Sequence, residues 1–304
     1  MKRVNCIGAV LVDALSWPMD KFPEPGKKGG IETESITFSP GGGAANTGSA
    51  LAQLGVPVKV FSKTGNDFSG RFIIENLQGK GVDTGGIFVA DNESTAFVYI
   101  GVQTNGDCSF FITNGTNKSL CLQDFDKESL FDCEILLYQD FGSLPGLDPD
   151  ATGILKEAKK RGIITIVDEN KLTDIQLLKE VLPYTDYFMP GHVAMKQIMP
   201  DLNREQIAAR LKSMGTGIVV LKLSEDGCLF LSDEGLFIEP SHATKIVDTT
   251  GGGDCFDGGF IAGLATGQTL KECIEIANDV AAVAIAAIGA APKIPPLAEL
   301  TRKK

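Results

Sequence analysis

The stretch DTTGGGDCFDGGF, Asp248 to Phe260, sets three consecutive glycines directly before a carboxylate and a run that can open a helix. Bare backbone lets N–H groups approach an anion closely, and a helix N-terminus adds partial positive charge. A carboxylate inside such an anion hole is oddly placed for phosphate binding alone. It fits if Asp254 takes the proton of a hydroxyl that attacks the phosphoryl group. The plainer alternative is a turn with Asp254 as helix N-cap. A second Gly-rich stretch, GGGAANTG (Gly41–Gly48), has no third glycine at the dinucleotide spacing and follows Ser39-Pro40 instead of a buried strand. Asn46 is a poor helix residue unless its amide has a partner. An amide both donates and accepts, which suits vicinal sugar hydroxyls. No GxxxxGK[ST] occurs, so the chain is no P-loop NTPase.

Elements must position these groups. The 304 residues are 43% hydrophobic, ample for a sizeable core. A net charge of -11 without a large Lys/Arg cluster disfavours nucleic-acid and anionic-membrane partners. The N-terminal apolar run stops at Asp13 and predicts a buried strand, Val4 to Val12, instead of a signal peptide. VAAVAIAAIGAA is too short to span a bilayer and predicts a buried helix. Seven scattered cysteines without a CxxC predict reduced thiols and a cytoplasmic protein. His192 and His242 lack metal-ligand spacing.

Ser16 to Gly30 has loop composition, and IETESITF alternates as a half-exposed strand. GGAANTGSALAQLG predicts a helix ending near Gly55, and VKVFSKTG a strand. Thr95–Ile112 predicts a hairpin around Asn105-Gly106. Beyond residue 130, strands (EILLYQ, IITIVDEN, DYFMP, GIVVLKL) alternate with helices, one capped at Asn203. HATKIV predicts a further strand before the Gly-rich turn. This is the pattern of a doubly wound, mostly parallel α/β sheet with helices on both faces. Ligands of such sheets sit beyond the carboxyl ends of the strands. The early hairpins fit a small β lid, with strands from about 10–38 and 95–112 inserted in one domain, 1–304.

GGGAANTGSALAQLG and DTTGGGDCFDGGFIAG resemble the two signatures of the PfkB (ribokinase-like) carbohydrate kinases. GAVLVD, NGTN near Asn117 and VLKLSEDGCLFL extend the resemblance along the whole chain. It implies a ribokinase-like fold and an ATP- and Mg²⁺-dependent sugar kinase. Asp254 would be the base, with Gly251, Gly252 and Gly253 forming the γ-phosphate anion hole. Asp13, Gly42, Gly43 and Asn46 would bind the sugar. Lys222, Ser224, Gly227 and Asn278 would line the nucleotide site, together with Gly251 and Gly253. Asp248 and Thr250 match a loop that holds a monovalent cation, K⁺, in many members.

Five positions depart from the family pattern. Gly48 replaces Ala or Ser, Ser224 a common Gly, and Gly43 the Lys of ribokinases. Gly191 and Ala194 replace an N-x-x-E motif whose Glu organises the Mg²⁺ shell. Asp168 and Asn170, at the exit of IITIVD, could stand in for it, or form an ordinary strand-exit turn. Trp17, Tyr99 and Phe110 could stack on a sugar ring or fill lid core. Beside the monosaccharide kinase stand a nucleoside kinase of the same fold and a sugar-binding protein with weakened turnover. A homodimer through the lid is a further expectation.

Overall fold

The computed structural model describes residues 1–22, 26, 29–105, 107–287, 289–290 and 292–300. Thirteen strands form two sheets among them: β1 (Val4–Ile7), β2 (Leu11–Trp17), β3 (Ser35–Gly41), β4 (Val58–Gly65), β5 (Asp83–Ala90), β6 (Phe97–Val102), β7 (Cys108–Thr113), β8 (Ile135–Phe141), β9 (Ile164–Glu169), β10 (Tyr187–Phe188), β11 (Ile218–Lys222), β12 (Cys228–Ser232) and β13 (Gly235–Glu239). The large sheet has nine strands in the order β13-β12-β11-β10-β9-β8-β1-β4-β5. It is parallel from β5 to β11, and β12 and β13 add antiparallel at one edge. Strand order therefore runs outward in both directions from β1 and β8, as in a doubly wound sheet.

Two apolar layers cover the sheet. Val4, Cys6, Ile135 and Leu137 face the Gly43–Gln53, Gly252–Ala265 and Leu270–Ile285 helices. Ile7, Leu136 and Tyr138 face the Ala151–Lys160 and Arg204–Lys212 helices. The second of these is closed by a reciprocal Asn203–Gln206 capping box, as the Asn203 N-cap predicts. The central helix is buried on nearly every side. A Cβ at Gly259 would lie 2.8 Å from the Ala277 Cα, and one at Gly258 2.7 Å from the Ala50 Cβ. These glycines let three helices pack at backbone range, which fixes the two signature helices against each other.

The second sheet has four strands in the order β3-β2-β6-β7. The strand expected over Val4–Val12 is in fact two strands in two sheets. Gly8, Ala9 and Val10 are buried like their neighbours, so burial gives no sign of the crossing. HATKIV is no strand: Ile246 and Val247 are exposed, and the edge of the sheet is already formed by β13. The helix expected over VAAVAIAAIGAA stops at Ile285, and Ile288 and Ala291 lie outside the described residues. β6 and β7 pair antiparallel as the hairpin requires, with Gly106 of its turn outside the described residues. Most of the Ser16–Gly30 loop beyond Phe22 also lies outside them.

Candidate active site

Two cavities meet at the Gly-rich turn. One, of about 420 Å³, is lined by Asp13, Gly42, Gly43, Asn46, Asn117, Asp140, Asp168, Glu169, Asn170, Thr250, Gly251 and Asp254, among others. The other, of about 410 Å³, is lined by Lys222, Ser224, Gly227, Gly252, Gly253 and Asn278, with Gly191, Thr249 and Phe256. The residues predicted for the sugar share one cavity, and of those predicted for the nucleotide Lys222, Ser224, Gly227, Gly253 and Asn278 line the other, whereas Gly251 lines the first. Asp248 lines neither. Its Oδ1 accepts the Thr250 N–H at 2.9 Å and its Oδ2 the Gly289 N–H at 2.9 Å, tying two loops together.

Gly251 is the N-cap of the Gly252–Ala265 helix, in the left-handed conformation with φ 71°. A Cβ there would overlap the Ala290 carbonyl, so this position needs glycine twice over. Asp254 lies in the first turn and is not the cap. The Gly253 and Asp254 N–H groups make no hydrogen bond among the described residues and remain available to an anion.

The Asp254 carboxylate is held from two sides. Its Oδ2 accepts Asn46 Nδ2 at 2.8 Å, and its Oδ1 accepts Gln139 Nε2 at 3.1 Å. The Asn46 amide therefore has the partner its helical position demands. Burial first, and repulsion from Asp140 next, push Asp254 up to about 7, with the Asn46 hydrogen bond opposing.

Behind Asp254 lies a buried ionic cluster. Lys222 Nζ donates to Asp168 Oδ1 at 2.9 Å and to the two Asp257 oxygens at 3.1 and 3.0 Å. Gln139 Nε2 reaches Asp168 Oδ2 at 2.7 Å. Burial would depress Lys222, but Asp168 and Asp257 outweigh it and hold the ammonium well above the ordinary lysine range. Asp257 is fully buried, and burial lifts it strongly against the pull of Lys222. The carboxylates of Asp168, Asp254 and Asp257 stand within 4.8 Å of one another, as a metal site would require. Lys222 already occupies that centre, so the cluster serves an ammonium.

Both expected stand-ins for the N-x-x-E motif are therefore engaged: Asp168 with Lys222 and Gln139, Asn170 with Asp140 through a 3.2 Å bond. Glu169 lies between them. Its Oε1 accepts the Gly191 N–H at 3.2 Å, while its Oε2 is buried without a hydrogen bond. Burial, and Asp168 after it, push Glu169 up to about 7. Asp140 accepts the Ala9 and Gly43 N–H groups, each at 3.1 Å. Gly43 is explained by the same contacts, because a Cβ there would overlap Gln139 and crowd Asp140. Ser224 stands at φ 57°, where glycine is easier, which accounts for the common Gly of the family pattern.

The three aromatic candidates do not line the sugar cavity; its apolar lining is Ala9, Leu11, Val98, Ile112 and Leu144. Tyr99 lies on the opposite face of β6 from Val98 and packs on Met19 and Phe111. Sequence reading missed Gln139, Asp140, Glu169 and Asp257. Asp257 stands one helical turn after Asp254, and the other three stand at the carboxyl ends of β8 and β9, so both positions carried a signal.

Removing the cation should expose the cost of this cluster. Lys222→Ala leaves two buried carboxylates uncompensated and should cost about 3–5 kcal/mol in a denaturant melt. Adding Asp257→Asn should recover part of that loss. Equal stability of wild type and Lys222→Ala would overturn the ion-pair assignment.

A 2-dehydro-3-deoxygluconokinase of Bacillus subtilis is 26% identical, over 86% of this chain and 85% of its own. A ribokinase of Arabidopsis thaliana is 28% identical, over 91% of this chain and 74% of its own. The structure of a putative ribokinase II from E. coli, in complex with ATP and Mg²⁺, superposes with a TM-score of 0.83 at 27% identity, covering 99% of this chain and 98% of the other. The model of the pfkB family carbohydrate kinases matches residues 1–296. The chain belongs to that family and is a carbohydrate kinase, a phosphotransferase with an alcohol group as acceptor.

Proposed function

We propose that the chain transfers the γ-phosphate of ATP to a hydroxyl of a small monosaccharide, with Asp254 as general base. The observation that carries this is that Asp254 lines the first cavity while Gly252 and Gly253, just before it at the same open helix N-terminus, line the second. Asp13, Gly42, Gly43 and Asn46 bind the sugar. Lys222, Ser224, Gly227 and Asn278 line the nucleotide cavity. The acceptor hydroxyl gives its proton to Asp254, and the Gly251–Asp254 backbone stabilises charge on the transferred group. Asn46 and Gln139 hold the carboxylate in place. A base with a pKa near 7 is well matched to neutral pH. The second sheet, with Asp13 on β2 and Val98 on β6, acts as a lid that excludes water. The free cysteines fit a reducing compartment such as the cytoplasm.

Asp254→Asn should lower turnover by about 10²–10⁴-fold in a coupled ADP-release assay, with sugar affinity much less changed. In the wild type, the base works only when deprotonated. The ratio kcat/KM should therefore be flat above about pH 7 and fall about tenfold per unit below it. A profile unchanged down to pH 5 would sink the base assignment. Calorimetric binding of a sugar without ADP release at high Mg²⁺ would favour the sugar-binding reading.

Mg²⁺ would neutralise charge on the ATP phosphates, keeping several waters. Gly191 and Ala194 offer it no side-chain oxygen. Glu169, beside Gly191 and with an unpaired oxygen, is the residue that fits the role of anchoring its water shell. K⁺ would sit at the loop of Asp248 and Thr250, where each Asp248 oxygen has lone pairs beyond its one N–H. Glu169→Gln should weaken Mg²⁺-dependent nucleotide binding several-fold by calorimetry, and Gly191→Asn with Ala194→Glu should strengthen it. Replacing K⁺ by choline should slow turnover. Identical Mg²⁺ titrations in all three proteins would remove Glu169 from the role.

Two copies of the chain pair through the second sheet, which exposes Trp17 and Phe110 on the face that carries Asp13. Sedimentation velocity should give a dimer for the wild type and a monomer for Phe110→Asp. A wild-type monomer at micromolar concentration would dismiss the pairing.

A further inference from the structure

We infer that the acceptor cavity is built for a polyol without an anionic group, and that Asp13, Asn117 and Asp140 enforce this choice. The inference rests on the kinase reading of the site and narrows its substrate class.

The first support is charge. Five carboxylates line the cavity, from Asp13, Asp140, Asp168, Glu169 and Asp254. Among the described residues, Lys171 is the only Lys or Arg lining the cavity, and it is exposed. Lys222 lines the other cavity, and its ammonium is engaged by Asp168 and Asp257. A carboxylate or phosphate on the acceptor would face this excess of like charge at close range. The site is already crowded with negative charge, since Asp140 and Asp168 both repel the Asp254 carboxylate.

The second support is hydrogen-bond polarity. The Asn117 side chain is 7% exposed, and its Oδ1 has no hydrogen-bond partner. Asp13 accepts no hydrogen bond among the described residues either. The buried Asn117 Oδ1 needs a donor from the ligand, and the half-buried Asp13 carboxylate offers a second acceptor beside it. A hydroxyl can donate, whereas an ionised carboxylate only accepts, and a phosphate dianion does the same.

The third support is a closed door. An anion entering this cavity would look for a helix N-terminus. At the one that begins with Gly43, the first amide is taken by Asp140, whose Oδ2 accepts the Gly43 N–H and also the Ala9 N–H. The one at Gly251 faces the nucleotide cavity as well, through Gly252 and Gly253, and serves the transferred phosphoryl group. The Bacillus subtilis relative is named for an acid sugar, so anionic acceptors occur among related kinases, and the lining of this cavity selects against them.

The test is a charge-matched panel at pH 7.5, read by calorimetry and by ADP release. Ribose, fructose and adenosine are the neutral members, gluconate and 2-dehydro-3-deoxygluconate the carboxylates, and ribose 1-phosphate the phosphate. Every anionic compound should bind at least about 100-fold more weakly than the best neutral one. Asp140→Asn should narrow that gap by about tenfold. Asn117→Ala should weaken the best neutral ligand by about tenfold. An anionic compound that binds as tightly as the best neutral one, with turnover, overturns the inference and leaves the kinase reading intact. Neutral compounds that bind with the expected preference but release no ADP uphold the inference and overturn the kinase reading.

Discussion

One buried ammonium organises the site. Lys222 stands at the end of β11 and reaches the Asp168 carboxylate at the end of β9 and the Asp257 carboxylate on the central helix. Bringing three ions out of water is expensive, and such a cluster persists only when each charge is met at hydrogen-bond distance. The arrangement therefore fixes the helix against the sheet at one height and one rotation. Asp254, one turn before Asp257, inherits that placement. The cation also tempers the proposed base: its field lowers the Asp254 pKa, while burial and the neighbouring aspartates raise it. The result is a half-buried carboxylate held up near 7.

The glycines perform two separate tasks around that helix. Gly251 permits the left-handed turn and the contact with the Ala290 carbonyl, so the following amides project into the gap between the cavities. Gly258, Gly259 and Gly263 lie deeper and serve packing, since Cβ atoms there would crowd Ala50, Ala277 and Cys273. The close approach of the Gly43–Gln53 helix is what brings Asn46 within 2.8 Å of Asp254. Two stretches about 200 residues apart in the chain thus share one hydrogen bond, and neither is chemically complete alone.

The parts of this site that a sequence can express locally were legible. Three glycines before an aspartate, an Asn with no business inside a helix start, and strand–helix alternation each state a local preference that the fold honours. The Val4–Val12 run misled because a buried crossing between sheets has the same composition as a buried strand. HATKIV misled because β-branched residues fit an exposed loop as well as a strand when no edge is free to pair with it. Gln139, Asp140, Glu169 and Asp257 escaped notice for a different reason. Each becomes functional only through partners more than 20 residues away, and a single polar residue at a strand exit reads equally well as a turn. The N-x-x-E replacements were visible, yet the residue beside them, Glu169, could not be separated from Asp168 and Asn170 without knowing which carboxylate and amide were already engaged.

The two helix N-termini at the cavity explain how an acidic protein can still handle phosphate. Both ends attract anions by the same backbone dipole. At Gly43 the attraction is satisfied internally, because Asp140 caps the amide with its own carboxylate. At Gly253 and Asp254 the amides are left open, with only a lysine that is already paired nearby. On the proposed reading, negative charge from outside is refused at one end of the cavity and admitted at the other. The distinction depends on one substitution of occupancy: glycine at 43 makes room for Gln139 and Asp140, whereas a long side chain there would have to displace them. On that reading, where the phosphoryl group settles depends on which amides the chain has already spent, more than on the net charge of -11.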